Sequence, residues 1–192
     1  MSPSERAFCC GAVWRSGSAV IARELRAQRL GREVLEIGSG SGSVARQLLS
    51  KDPELAWVAM DIDPHMTRAA ATRLRGFPNA SAKTADATAM PFPDDSFDTV
   101  VSCLMLHHII DWERAVAETA RVLRPGGIFV GYDLTRTALA SLFHRLDRSP
   151  HRLIAPNDFG TECARHGLSA SLQSGLLGHV MRFVAYKTTE DI

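Results

Sequence analysis

The sequence carries almost no net charge. Against 22 lysines and arginines stand 21 aspartates and glutamates, a formal balance of +1, so no global field draws the chain to nucleic acid or to an acidic membrane. Cysteine is scarce: four residues, at positions 9, 10, 103 and 163. That spacing matches neither a zinc site nor a disulfide framework, so the expectation is no metal and reduced thiols in the cytoplasm. Long apolar runs are missing too. "AFCCGAVW" is too short to span a bilayer and Arg15 interrupts the segment, and no secretory signal is recognisable. Nor is there an internal repeat, a low-complexity tract or a linker. What is present is 192 residues with 45% hydrophobic side chains, enough for one sizeable core in a single domain spanning 1–192.

Strand-like and helix-like segments alternate along that domain. "EVLEI" (33–37) is a short apolar run, and "GSVARQLLSK" after it has Val44, Ala45, Leu48 and Leu49 at helical spacing. "LAWVAMD" (55–61) is the next strand. Pro64 suits a first helical turn, with Asp63 as the N-cap, and Gly76 stops the helix. "SAKTAD" (81–86) reads as a weaker strand and "FDTVVSCLML" (97–106) as a strong one. The helix "DWERAVAETARVLR" follows, with Asp111 as its N-cap. "PGG" (125–127) ends that helix and turns the chain into the strand "IFVGYDL". Alternation of this kind predicts an α/β fold: a doubly wound, mostly parallel, Rossmann-like sheet with helices on both faces. After the helical "DFGTECARHG", the candidates "LSASLQS" and "HVMRFVAYKT" are joined only by "GLLG", too short for a crossover. They are expected to pair antiparallel, putting a reversed strand near the C-terminal edge.

The stretch "VLEIGSGSG" (34–42) then acquires a place. It ends the first strand, where an open α/β sheet forms its ligand crevice. Gly38, Gly40 and Gly42 let a ligand approach the backbone. Asp61, at the end of the second strand, suits the two hydroxyls of a ribose. Asp86, at the end of the third, lies within reach of an adenine ring. A dinucleotide loop of the form G-x-G-x-x-G would need a third glycine where Ser43 stands, and Glu36 would repel a pyrophosphate. The same carboxylate attracts an ammonium group, as S-adenosylmethionine carries.

The ordered set "LEIGSGSG" (35–42), "MDIDPHM" (60–66), "ADATAMPFPDDSFDTVVS" (85–102), "LHHIIDWERAVAETARVLRPGG" (106–127) and "IFVGYD" (128–133) resembles class I S-adenosylmethionine-dependent methyltransferases of the small-molecule type. The likeness is close over residues 30 to 135 and looser in the C-terminal hairpin. It implies a seven-stranded sheet with an antiparallel C-terminal strand and S-adenosyl-L-methionine as cofactor. By the same resemblance, Glu36 and the loop of Gly38, Ser39, Gly40 and Gly42 hold the methionine part. Asp61 takes the ribose, Ile62 and Ala87 flank the adenine, Asp86 meets its exocyclic amine, and Ser102 and Cys103 lie under the methionine moiety.

The expected partner is a small-molecule methyl acceptor. "SCLML" stands where the family's nucleic-acid enzymes often show a "PPY"-type tetrad, and there is no basic run. Candidates for a catalytic base are His107, His108, Tyr132 and Asp133, at the crevice mouth. The sulfonium already activates the methyl group, so alignment and exclusion of water are expected to supply much of the rate. "LHH" is also readable as a structural turn, and Asp94, Asp95 and Asp98 as a solvated turn. The domain divides into a substrate or cap segment (1–30), a cofactor-binding core (31–133) and C-terminal helices with the hairpin (134–192). The stretch 134–148, with Leu134, Ala138, Leu142 and Leu146 near helical spacing, reads as a helix packed on the sheet or as a lid. So short a chain leaves little room for a substrate domain, which points to an open site or one completed by a second copy in a homodimer. Two other classes stay open: a cofactor-binding regulatory partner without catalysis, and an NAD-dependent oxidoreductase.

Overall fold

The computed structural model describes residues 11–137 and 151–189. Its elements are α1 (Ala12–Arg26), β1 (Glu33–Ile37), α2 (Ser43–Leu49), β2 (Ala56–Asp61), α3 (Pro64–Leu74), β3 (Ala80–Thr84), β4 (Phe97–Cys103), α4 (Trp112–Val122), β5 (Leu123–Leu134), α5 (Pro156–Arg165), β6 (Leu168–Gly175) and β7 (Val180–Lys187). One seven-stranded sheet runs in the order β3-β2-β1-β4-β5-β7-β6. The first five strands are parallel. β7 runs antiparallel to both β5 and β6, so the reversed strand lies inside the sheet and β6 forms the edge.

The alternation of β1 explains the two cores. Leu35 and Ile37 face one side, with Trp112, Val116, Phe129, Phe159 and Phe183. Val34 faces the other, with Leu25, Leu48, Trp57 and Val101. A strand buried on both faces is what parallel pairing between two helical layers demands. Glu36 shares the face of Val34, which makes it a carboxyl buried under a helical layer; it is 2% exposed.

Several boundaries differ from the sequence expectation. β3 ends at Thr84, so Asp86 lies two residues beyond the strand. β4 stops at Cys103, and the "LHH" residues form a single 3-10 turn, Leu106–His108. Helix α4 ends at Val122, and "LRPGG" belongs to β5 instead of closing the helix. Leu123 already pairs with Phe97, and the register shifts before Thr99 meets Ile128, with Gly126 in the left-handed region to absorb the irregularity. Asp111 occupies the N-cap position of α4 without a side-chain cap bond, whereas Asp63 caps α3 by accepting the His65 N–H at 2.9 Å.

The acidic turn is more than solvated. Asp98 accepts the N–H groups of Arg32 and Glu33 at 2.8 and 2.9 Å and pairs with Arg124 at 2.7 Å. It fastens the start of β4 to the start of β1. Burial works against its charge, but these donors outweigh it and hold the carboxyl below its ordinary value. Asp94 pairs with Arg121 and Asp95 with Lys187. Residues 1–10, with Cys9 and Cys10, and residues 138–148 of the expected helix or lid lie outside the described residues.

Candidate functional site

Five parallel strands end side by side, and every sequence-selected residue lies at or just beyond one of those ends. After β1 the chain takes a left-handed φ at Gly38, Gly40 and Gly42 (65°, 53° and 73°). Such values are strained for residues with a Cβ. Gly38 has a second requirement. A Cβ there would lie 1.9 Å from Met105 Cγ, so the Met105 side chain packs over the loop.

The loop is tied to β2. Ser39 N–H donates to Met60 O at 2.9 Å, and Gly40 N–H donates to Asp61 Oδ2 at 2.8 Å. The other carboxylate oxygen of Asp61 accepts the Asp63 N–H at 2.9 Å. Asp61 thus joins the glycine loop to the turn after β2. Each oxygen has a lone pair left for a ribose hydroxyl. Burial raises its affinity for a proton, and the two N–H donors oppose this. Arg73, on α3, donates to the Ser41 hydroxyl at 2.7 Å and also to Ser43, bracing the loop from the far side.

Ile62 follows with 65% of its surface exposed, rare for so large an apolar side chain here. Ala87 is buried. Asp86 is exposed, and one of its oxygens accepts both the N–H and the hydroxyl of Thr88 at 2.8 and 2.9 Å. The loop carrying both is held by Arg121, missed in the sequence. Its guanidinium donates to Met90 O and Phe92 O and pairs with Glu118, which accepts the Met90 N–H at 2.7 Å.

Beneath the loop, Glu36 accepts a hydrogen bond from Trp57 Nε1 at 3.1 Å. Burial, opposed by that indole donor and reinforced by the charge of Asp61, pushes the carboxyl up to about 8. Ser39 Oγ and Ser102 Oγ are buried without a partner. The Tyr132 hydroxyl has no oxygen or nitrogen partner either and meets the Cys103 thiol. Burial raises both groups well above their ordinary values. Cys103 and Tyr132 share the Glu36 face of the sheet, and Ser102 lies on the opposite face with Ile37, so the orphaned hydroxyls offer polar contacts to a ligand at the strand ends.

At the mouth, Leu104 holds a left-handed φ of 54° and donates its N–H to Tyr132 O. Strain of this kind in a non-glycine residue gathers at functional sites. His107 Nδ1 lies against Asp133 Oδ1, and Asp133 also accepts the Leu134 N–H at 2.7 Å. Both side chains are buried. The ring of His108 lies 4.1 Å from that of His107. Sequence reading named these residues separately; the structure pairs His107 with Asp133.

A crevice with this loop, an acidic residue ending β2 and strand order 3-2-1-4-5-7-6 defines a class I methyltransferase fold. The chain belongs to the family described as Methyltransferase domain, whose model matches residues 35–131, and whose methyl donor is S-adenosylmethionine. A ubiquinone/menaquinone biosynthesis C-methyltransferase of Geobacter sulfurreducens is 32% identical over 120 residues, 60% of this chain and 46% of that protein. A probable S-adenosylmethionine-dependent methyltransferase of Mycolicibacterium smegmatis is 32% identical over 155 residues, 77% of this chain and 52% of its own length. The chain spans about half the length of these relatives. Among solved structures, the YcgJ protein of Bacillus subtilis has a TM-score of 0.74 at 20% identity, covering 91% of this chain and 99% of that one. That likeness shows the fold. No helix among the described residues is long and apolar enough to cross a membrane.

Asp61→Ala removes the anchor of Gly40 and the carboxylate oxygens available to a ligand. It is expected to weaken S-adenosylhomocysteine binding by about 2 kcal/mol or more. Asp63→Ala removes a helix cap, costing about 1 kcal/mol of stability with affinity nearly unchanged. Titration calorimetry beside thermal melting checks both; the opposite pattern would move the ribose contact to Asp63.

Proposed function

We propose that the protein transfers the methyl group of S-adenosylmethionine to a small-molecule acceptor. The observation that carries this reading is the bond from Gly40 N–H to Asp61, which makes the glycine loop and the end of β2 one wall of a single pocket. Glu36 and the loop hold the methionine end, Asp61 the ribose, Ile62, Asp86 and Ala87 the adenine, and Ser102 and Cys103 the floor below the methionine. The cofactor supplies an activated methyl; the chain binds it, orients it and excludes water. The acceptor approaches past His107, His108 and Tyr132. The relatives named for quinone C-methylation make hydroxylated aromatic rings the first acceptors to try. A second copy of the chain closing the mouth belongs to the same proposal, and sedimentation tests it. Turnover is tested by S-adenosylhomocysteine formation against a panel of small acceptors. Cofactor binding without turnover on any of them would favour a regulatory partner.

The contact between His107 and Asp133 favours a second reading of the chemistry. Asp133 orients the imidazole, and a proton exchanged with an acceptor hydroxyl, amine or acidic carbon would pass through that ring. With alignment alone, His107→Ala, His108→Ala, Tyr132→Phe and Asp133→Asn each lower turnover less than about a hundredfold. With His107 as base, His107→Ala exceeds about a thousandfold while cofactor affinity holds. Rates at saturating cofactor separate the two.

A further inference from the structure

The pairing of Glu36 with Trp57 is unusual for a cation site. Glu36 and Ala59 are register partners across β1 and β2, as are Val34 and Trp57, so the indole lies on the same face of the sheet, one step back along the neighbouring strand. Both residues are closed off, at 2% and 1% exposure. The Trp57 N–H donates to Glu36 Oε2 at 3.1 Å. A single neutral donor leaves a buried carboxylate poorly compensated.

Among the described residues, the groups facing Glu36 add no cation. From β2 comes Asp61, an acid; from β4 the Cys103 thiol; from β5 the Tyr132 hydroxyl. Glu24, the acid on α1 whose charge acts on Tyr132, is paired with Arg182 at 2.7 Å. Arg73, behind the loop, is engaged with Ser41 and Ser43. Among the described residues no cation reaches Glu36 before the ligand's own ammonium.

We infer that docking of the cofactor's ammonium drives a proton off Glu36, and that Trp57 is the positioning residue that holds this carboxyl and sets how readily it gives the proton up. This rests on the reading of the pocket as an S-adenosylmethionine site. The O–H bond of the Glu36 carboxyl breaks and the proton passes to solvent. The ligand keeps its ammonium charge and faces a carboxylate. The buried acid, raised to about 8 before the ligand arrives, is mostly neutral at pH 7. Affinity for a ligand with an ammonium then falls as pH drops below about 8, by up to tenfold per pH unit, until the pKa of the complex is reached. A ligand without that group escapes the penalty. The preference for a ligand that carries the amino-acid end therefore weakens as pH falls below about 8.

The experiment is titration calorimetry of the whole chain at pH 7 in two buffers of different ionisation enthalpy, with S-adenosylhomocysteine and with 5′-methylthioadenosine, which has the same nucleoside but no amino-acid portion. Release of nearly one proton with the first ligand and none with the second is expected. Glu36→Gln should abolish the release with S-adenosylhomocysteine. Trp57→Phe should move the pH midpoint of its binding upward, which a merely structural indole would not do. S-adenosylhomocysteine binding whose heat is the same in both buffers overturns the inference and leaves the cofactor reading standing. Equal release with both ligands, or release retained in Glu36→Gln, assigns the proton to the shared ribose side at Asp61 and overturns it too. Binding of neither ligand to folded protein overturns the cofactor reading and the inference with it.

Discussion

Gly40→Val is expected to abolish measurable binding of S-adenosylmethionine, a loss of at least a hundredfold, while the protein still folds. Gly40 has a φ of 53°. A β-branched residue in that region costs on the order of 1–2 kcal/mol from backbone strain alone, and more from crowding at Cβ. Relief requires the loop to rotate out of the left-handed conformation. The Gly40 N–H would then leave Asp61 Oδ2, which it now meets at 2.8 Å. The wall that this bond holds together would come apart, with a side chain added where the ligand must approach the backbone. The loop is buried at residues 39–42 but contributes no side chain to the two hydrophobic clusters, so the damage should stay local. Calorimetry on the variant, with circular dichroism to establish folding, is the check. Affinity within tenfold of the parent would mean that the ligand does not lie against this loop.

The second large effect concerns the sheet. Gly131 pairs with Ser102 across β5 and β4, and a Cβ at position 131 would fall 1.8 Å from the Ser102 carbonyl oxygen. No rotamer relieves a collision between a Cβ and a backbone atom; the strands must part. They meet at the centre of the sheet, beside Val101, Val130 and Phe183, all buried. Overpacking ordinarily costs about 1–3 kcal/mol. Here the backbone itself is displaced, so Gly131→Ala should exceed about 4 kcal/mol, in the range of exceptional point substitutions, and yield little folded protein. Gly160→Ala serves as the control. It lies within α5, and its added Cβ would sit 3.5 Å from Leu172 Cδ1, an ordinary contact. Helix propensity then makes it stabilising by about 0.5–1 kcal/mol. Urea denaturation of the two variants measures the contrast.

What the sequence disclosed and what it withheld follow from one physical distinction. β1 was readable to the residue, and the antiparallel hairpin of β6 and β7 followed from a connection too short for a crossover. Asp63 was readable as a cap because capping is local, set by the His65 N–H two residues on. The same local logic failed at Asp111, which sits at the cap position without a cap bond. It failed again at "LRPGG", where turn residues are carried inside β5 by a register shift against β4. The remaining omissions are contacts between residues far apart in the chain. Trp57 reaches Glu36 across 21 positions and His107 reaches Asp133 across 26. Asp98 reaches Arg32 and Glu33 across more than 60. Each residue is visible in the sequence, but partnership depends on strand order and register, which periodicity does not encode. Helix α1, within the segment expected to bind substrate, was not legible because the polar run Arg15, Ser16, Gly17 and Ser18 interrupts its apolar period and carries poor helix formers.

The central claim is that the crevice at the ends of β1 to β5 binds the methyl donor. Titration calorimetry of the folded protein with S-adenosylhomocysteine tests it most directly. The expected result is binding at one site per chain with a dissociation constant in the micromolar range, on the order of −7 to −8 kcal/mol. No heat at any temperature tried, on protein shown by its melting transition to be folded, would contradict it.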